Sequence, residues 1–117
     1  MGSFKGRRQH ARFPVQWPIL YANEELIGQG TLVNLSHVGC QVAGTMPVAV
    51  GMLLKVWVSP GHREEALFVK EARVLWAREH EFGLELRHVQ LSDHQWLMGF
   101  LDNAERRRLP LALPLKD

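Results

Sequence analysis

The sequence predicts a mainly β domain that ends in a single α-helix. From Phe13 to His88, short segments in which apolar and polar residues alternate are separated by turn residues, which is typical of β-strands. Beyond them the apolar residues recur every three to four positions, which is typical of a helix. A chain of 117 residues is expected to form one domain. Six strands joined by such turns indicate an antiparallel barrel or sandwich.

Three strands are predicted in the first part of the chain. Residues 15–21 form the first, in which Pro18 indicates a sheet edge or a bulge. Residues 26–35 form the second, which contains two glycines, and residues 40–42 form the third. Asn, Ser and Gly residues between these segments supply the turns.

Three more strands are predicted in the second part. Residues 53–58 alternate strictly, so that Leu54, Val56 and Val58 share one face. Residues 67–78 form a long strand and residues 82–86 return the chain as the sixth. In the long strand, four residues share the parity expected to face the core: Phe68, Ala72, Val74 and Trp76. Lys70 interrupts that stripe and indicates a bulge or an exposed end.

A helix of about four turns is predicted to follow. Ser92 and Gln95 have the spacing of a capping box, and Asp93 complements the positive helix N-terminus. The helix is expected to end before Pro110. Three arginines are expected to complement its C-terminus: Arg106, Arg107 and Arg108. The apolar stripe of the helix consists of Leu97, Phe100, Leu101 and Ala104.

Charge and composition exclude several classes of protein. The chain is 46% hydrophobic and 22% charged, which is ordinary for a folded domain. It has no apolar run of the roughly 18 residues that a membrane span needs and no secretory signal, so we expect a cytoplasmic protein. The single Cys40 excludes an internal disulfide.

Basic residues are concentrated at the N-terminus. The first 23 residues contain four of them and no acidic residue, whereas acidic residues are in slight excess in the rest of the chain. A binding face for a nucleic acid polymer would spread Lys and Arg over the fold. A short basic arm instead favours a small anionic ligand, a phosphate group or an acidic partner.

Two short motifs carry the functional prediction. The first is R-x-x-x-R, from Arg8 to Arg12, in the arm. The second is N-x-S-x-x-G, formed by Asn34, Ser36 and Gly39 at the end of the second predicted strand. Each motif is weak by itself, but their order before and after the first two strands is specific.

In this order of motifs and strands the chain resembles the PilZ domain family, over about residues 5–108. The resemblance implies a six-stranded antiparallel β-barrel with a C-terminal helix. It also implies a non-enzymatic, bacterial receptor that binds the second messenger cyclic di-GMP through both motifs. Many members have Asp where this chain has Asn34, and Asn is an accepted variant.

The chemistry of the motifs suits that ligand. Arginine presents a planar fork that matches guanine O6 and N7, and the same fork grips phosphate. The Asn34 amide oxygen can accept from guanine N1–H or N2–H, and the Ser36 hydroxyl can add a bond. Gly39 supplies either a positive φ or a close backbone approach.

Arg7, just before the first motif, completes the expected ligand-binding set, which is Arg7, Arg8, Arg12, Asn34, Ser36 and Gly39. The resemblance links the position of Arg7 to the number of ligand molecules bound. Trp76 and His37 are candidates for flanking contacts, although a strand Trp of core parity more often packs inside. Asn34 and Ser36 can also be explained by local turn chemistry, and the two roles can coexist.

Three regions are expected: residues 1–12 as a flexible basic arm, residues 13–108 as the barrel with its helix, and residues 109–117 as an apolar tail containing prolines. Ligand binding would order the arm against the barrel and change the surface offered to a downstream protein partner. The processes that the resemblance implies are control of motility, pilus assembly, exopolysaccharide synthesis (and hence biofilm) or virulence.

Two alternatives remain open. One is a PilZ-like adaptor that acts through protein contacts without nucleotide, for which the apolar tail is the argument. The other is a small enzyme or an RNA-binding barrel. The sequence has no catalytic constellation, no zinc-ligand spacing among its six histidines and no indication of a cofactor other than the nucleotide ligand.

Overall fold

The computed structural model of the chain describes residues 11–61 and 63–112, with the backbone alone for residues 108–112. The described part consists of six strands and one helix: β1 (Phe13–Ala22), β2 (Ile27–Leu35), β3 (Gly39–Gly44), β4 (Leu53–Val58), β5 (Leu67–Arg78), β6 (Glu81–Val89) and α1 (Leu91–Ala112). The predicted fold class is confirmed.

The strands close into one barrel in the order β1-β2-β3-β6-β5-β4, and all neighbours are antiparallel. Pairing of β1 with β4 covers only Ile19 to Ala22. Pro18 lies at the end of this pairing, where its carbonyl still accepts from the Ser59 N–H at 2.9 Å, and the register of β1 against β2 shifts between Pro14 and Trp17. A proline is tolerated there because its missing N–H is not needed for pairing with β4.

Tyr21 shows how the barrel interior accommodates a large ring. It is fully buried, and a Cβ added at either Gly28 or Gly44 would overlap the ring. Its hydroxyl donates to the Met46 carbonyl at 2.6 Å and accepts from the Met46 N–H at 2.9 Å. Phe82 packs against the ring edge to face, with centroids 5.0 Å apart. These glycines are thus needed for the space that the ring occupies.

The helix packs on the barrel through its predicted apolar stripe. Leu97 and Leu101 are buried in the same cluster as the inward residues of the strands, while Phe100 and Ala104 are partly buried against it. The ring centroids of Trp17 in β1 and Phe100 lie 5.1 Å apart. The stripe is confirmed as the contact face of α1.

The predicted start of the helix was wrong. The helix begins at Leu91, so Ser92 lies within the first turn and cannot cap it as the capping box requires. Asp93 is instead the important polar residue of this turn. Its carboxylate accepts from Arg63 Nη2 at 2.7 Å and from the Phe68 N–H at 3.0 Å, and it is 5% exposed.

The predicted end of the helix was also wrong, since α1 continues through Pro110 to Ala112. A proline in the last turn removes only one hydrogen bond, to a carbonyl that water can satisfy. The basic residues from Arg106 onward therefore precede the last turn and do not complement the helix end. Of the expected tail, residues 113–117 lie outside the described residues.

Irregularities in β5 explain which of its side chains face inward. The register shifts around Glu71, which confirms the bulge expected at Lys70. Because of that shift, Leu67 and Val69 are buried and Phe68 is only partly buried, against the expected parity. A second shift between Val74 and Trp76 turns Trp76 outward, so its predicted place in the core was wrong.

Candidate functional site

The register of the first hairpin brings the two motifs together. Phe13 of β1 pairs with Leu35 of β2, so the residues just beyond this pair, Arg12 and Ser36, are neighbours. They border a shallow cleft of about 100 Å³ on the barrel surface. The residues lining it are Arg12, Asn34, Ser36, Val38, Gly39, Cys40, Gln41, Leu75, Trp76, Gly83 and Leu84.

Ser36 shapes the turn that follows β2. Its N–H donates to the Gly39 carbonyl at 2.9 Å, and its hydroxyl accepts from the N–H groups of Val38 and Gly39, both at 3.3 Å. The Ser36 side chain is nearly buried. Local turn chemistry therefore accounts for Ser36, and this turn fixes one wall of the cleft.

Gly39 allows a close approach between two strands. A Cβ at this position would overlap the Leu84 carbonyl oxygen of β6, a backbone atom that cannot rotate away. Among the described glycines a positive φ occurs at Gly51 and not at Gly39. Of the two reasons that the sequence offered for Gly39, the close approach is the one observed.

Asn34 reaches the cleft because β2 is bulged. The register against β3 shifts between Leu32 and Asn34, so Val33 is the extra residue. Without it, Asn34 would share the inward parity of the buried Leu32. On the outer face, Asn34 pairs with Gln41 and its Nδ2 donates to Gln41 Oε1 at 2.8 Å.

Trp76 reaches the cleft in the same way. The shift in β5 makes Leu75 the extra residue, and Trp76 then pairs with Gly83 of β6. A Cβ at Gly83 would overlap the Trp76 indole nitrogen. The ring thus lies over the bare backbone of Gly83 with 37% of its surface exposed.

These pairings form one row across four strands. Asn34 pairs with Gln41, Gln41 with Gly83, and Gly83 with Trp76. The row offers two amide side chains at one end and an aromatic ring at the other. Proteins bind a nucleobase through polar groups that form hydrogen bonds with the edge of the base and through a flat ring that stacks on its face.

Cys40 lies behind the cleft and faces the core. It is buried, and burial raises the pKa of its thiol from 9.0 to about 12. The thiol is therefore protonated at neutral pH, as expected for a side chain that packs rather than reacts.

His37 joins the motif turn to the helix. Its Nε2 lies 3.4 Å from Asp102 Oδ1. Among the described residues, His37, Asp102 and Glu105 are the group whose potential ligand atoms lie within 4.8 Å of one another, and both carboxylates are exposed. His37 therefore contacts α1, and it is not among the residues lining the cleft.

Not every predicted site residue can be placed. Arg7 and Arg8 lie outside the described residues. Of the others, Arg12, Asn34, Ser36, Gly39 and Trp76 line one cleft. Sequence reasoning missed Gln41 and Gly83, which belong to neither motif. Their register opposite Asn34 and Trp76 would have identified them, but single-sequence patterns do not predict register across bulges.

Two larger depressions lie elsewhere on the barrel. One, of about 740 Å³, includes Leu20 and Trp57, and the other, of about 550 Å³, includes Lys55 and Lys70. Neither is lined by a residue of the two motifs. Within the residues described, no helix is both long and apolar enough to cross a membrane.

Comparison with solved structures shows the same fold in two proteins. The inhibitor of motility MotI (DgrA) from Bacillus subtilis aligns with 89% of this chain at 22% identity and a TM-score of 0.66. This chain spans only 52% of MotI. The PilZ domain of CeSA from a cellulose-synthesizing bacterium aligns over 81% of this chain and 98% of its own length, at 20% identity and a TM-score of 0.58.

No match was found among curated proteins. The family model of the PilZ domain, however, matches residues 6–103, which include both motifs, all six strands and more than half of the helix. The chain therefore belongs to the PilZ domain family.

Proposed function

We propose that the protein is a non-enzymatic receptor for cyclic di-GMP, and that the cleft between β2, β3 and β5 is its binding site. PilZ domains form a family of cyclic di-GMP-binding effectors that are generally not enzymes. The observation that carries the proposal is the meeting of the two motifs: Arg12, Asn34 and Ser36 line one cleft.

The cleft suits one guanine of the ligand. Asn34 offers an amide oxygen to N1–H and N2–H, and Trp76 offers a flat face for stacking. Arg12 is exposed at the rim, where its fork can reach either a guanine edge or a phosphate. Val38 and Leu75 are about half exposed at the same rim and would cover the base edge.

The preceding arginines would complete the site. Arg8 lies four positions before Arg12, a length of chain that spans at most about 14 Å. Arg8 can therefore reach over a ligand seated in the cleft, and Arg7 can add a phosphate contact. The cleft alone is shallow, so contacts from the arm would be needed to enclose a dinucleotide with two phosphates.

Closure of the arm over the ligand would be the conformational change by which the receptor signals. A ligand shifts a conformational equilibrium only by its differential affinity for the two states, and guanidinium contacts made only in the closed state supply that difference. The closed arm would then present a changed surface to a downstream protein partner.

Titration calorimetry with cyclic di-GMP tests this proposal. Arg12→Ala and Arg8→Ala should each weaken binding by about 1–3 kcal/mol, the scale of one bidentate guanine contact. Arg87→Ala is the matched control, because Arg87 pairs with Glu71 at 3.5 Å and does not line the cleft. GTP and cyclic di-AMP serve as ligand controls.

Unchanged affinity in both arm variants would remove the arginines from the site. Absence of any heat with the unaltered protein would favour the other candidate, an adaptor that acts through protein contacts alone.

A further inference from the structure

Gln41 contacts a motif residue although it belongs to neither motif. It lies on the outer face of β3, half-buried, between Asn34 and Gly83 in the row. Its Oε1 accepts the hydrogen bond from Asn34 Nδ2 at 2.8 Å. Both side chains line the cleft.

This hydrogen bond distinguishes the two ends of the Asn34 amide. One of the two Nδ2 hydrogens bonds to Gln41, whereas no described residue donates to Oδ1, and Oδ1 is not an enclosed atom without a partner. The hydrogen bond thus turns the nitrogen toward Gln41 and leaves the oxygen with its acceptor capacity unused by the described residues. An amide rotated by 180° would present N–H groups instead, and these cannot accept a proton from guanine.

We propose that Gln41 is a positioning residue for guanine recognition, which holds the Asn34 amide with its oxygen available to guanine N1–H and N2–H. This inference rests on the proposed function, because it assigns a role within that site. It also explains how Asn34 can accept from guanine at a position where many family members have Asp. An Asp carboxylate would not need a neighbouring residue to orient it. The two oxygens of a carboxylate are equivalent acceptors, so its rotation does not change what it offers.

The pair also selects between purines. In the observed orientation Asn34 supplies an acceptor, which matches guanine N1–H and N2–H. If both amides rotated together, Asn34 would offer a donor instead, which suits adenine N1. Gln41→Glu prevents the second arrangement, because a carboxylate at position 41 can only accept from Asn34 Nδ2.

The test is a double-mutant cycle measured by calorimetry with cyclic di-GMP, using Gln41→Met, Asn34→Asp and the double variant. We expect Gln41→Met to weaken binding about fivefold in the otherwise unaltered protein, the scale of one neutral hydrogen bond. In the Asn34→Asp background the same change should weaken binding less than twofold, since the carboxylate needs no orientation. Gln29→Met is the matched control on the exposed face of β2, outside the cleft.

Purine selectivity provides an independent measurement. Gln41→Met should lower the ratio of affinities for cyclic di-GMP and cyclic di-AMP, and Gln41→Glu should preserve it. The added charge of Glu repels the phosphates of both ligands alike, so the ratio is not affected by that repulsion. Thermal melting of each variant verifies that the barrel is intact.

The outcomes separate this inference from the function on which it rests. Equal losses with Asn34 present and in the Asn34→Asp background would mean that Gln41 acts by packing, and no loss in either would mean that it has no role. Both results overturn the inference while binding by the unaltered protein upholds the receptor. Failure of the unaltered protein to bind cyclic di-GMP would overturn the receptor, and the inference with it.

Discussion

Val33 and Leu75 are each the extra residue of a bulge, and each reverses the direction of the side chain that follows. Val33 turns Asn34 out of the barrel, and Leu75 does the same for Trp76. Side chains of a strand alternate between faces, so one inserted residue moves the next one to the opposite face. The two bulges therefore decide which side chains line the cleft, because without them Asn34 and Trp76 would face the barrel interior.

Cys40 leads to a prediction about pH. Its thiol pKa is raised from 9.0 to about 12 in the fold, since burial disfavours the thiolate. The unfolded chain therefore loses this proton more readily, and the contribution to stability is complete below pH 9. It should decline as the pH rises from about 9 towards 12.

Urea unfolding of the native protein and of Cys40→Ala at pH 8 and pH 10 measures this effect. The native protein should lose more stability between the two pH values than the variant does. Identical losses would contradict the burial of the thiol.

At the scale of single residues, motif spacing identifies residues that lie together in the fold, and their role in ligand binding stays a prediction. Arg12, Asn34, Ser36 and Gly39 were identified from motif spacing, and all four line the cleft. The residues of a motif lie close together in the sequence, so their spacing can be recognised from a single sequence. The outward position of Trp76 was missed, because strand parity assumes a regular strand and Trp76 follows a bulge.

Among the secondary-structure elements, α1 is attached to the barrel by one buried ion pair as well as by its apolar stripe. Asp93 and Arg63 have side chains that are 7% and 15% exposed, and the Arg63 guanidinium also lies 5.4 Å from the Trp96 ring centroid. The same carboxylate accepts from the Phe68 N–H of β5. The first helical turn is thereby joined to both the β4–β5 connection and β5 itself.

We expect Asp93→Ala to destabilise the fold by about 3 kcal/mol, because it leaves a largely buried guanidinium and a backbone N–H without their partner. Ser92→Ala is the control. Ser92 is exposed, and among the described residues its hydroxyl accepts from Gln90 Nε2 alone, at 3.2 Å, so its loss should cost less than about 1 kcal/mol.

Chemical denaturation compares the two variants. A capping box would produce the opposite order, with the larger loss at Ser92. That order would contradict the role assigned to Asp93.

The elements differ in how well the sequence predicts them. The bounds of β4 and β5 agree with the prediction, since each is an apolar-rich segment that contains β-branched and aromatic residues and lies between clear turns. The ends of α1 were missed. Capping residues can serve tertiary contacts, as Asp93 does, and a proline near a helix end is tolerated when it removes only one hydrogen bond.

For the molecule as a whole, the described barrel and helix form one core, and the arginine arm would act as a separate part that the ligand recruits. A ligand that binds only the folded state raises its stability by mass action, by about 2.7 kcal/mol at a concentration one hundred times Kd. For a domain of this size, that corresponds to a rise in Tm of roughly 10 °C.

Thermal melting with and without cyclic di-GMP, for the full chain and for a variant lacking residues 1–10, tests this division. We expect similar Tm values without ligand, because the core cluster of the described residues already includes buried side chains from all six strands and from α1. The ligand-induced rise should be much smaller in the truncated variant. An undiminished rise would show that the barrel alone holds the ligand.

Closure of the barrel constrains how the protein can communicate with others. Every strand of the described part has a neighbour on each side, so the ring leaves no complete strand edge for another chain to extend by backbone pairing. A partner must instead recognise side chains on the convex surface, the helix or the arm. Substitutions of these surface side chains can therefore weaken or strengthen binding to a partner without changing the backbone of the barrel.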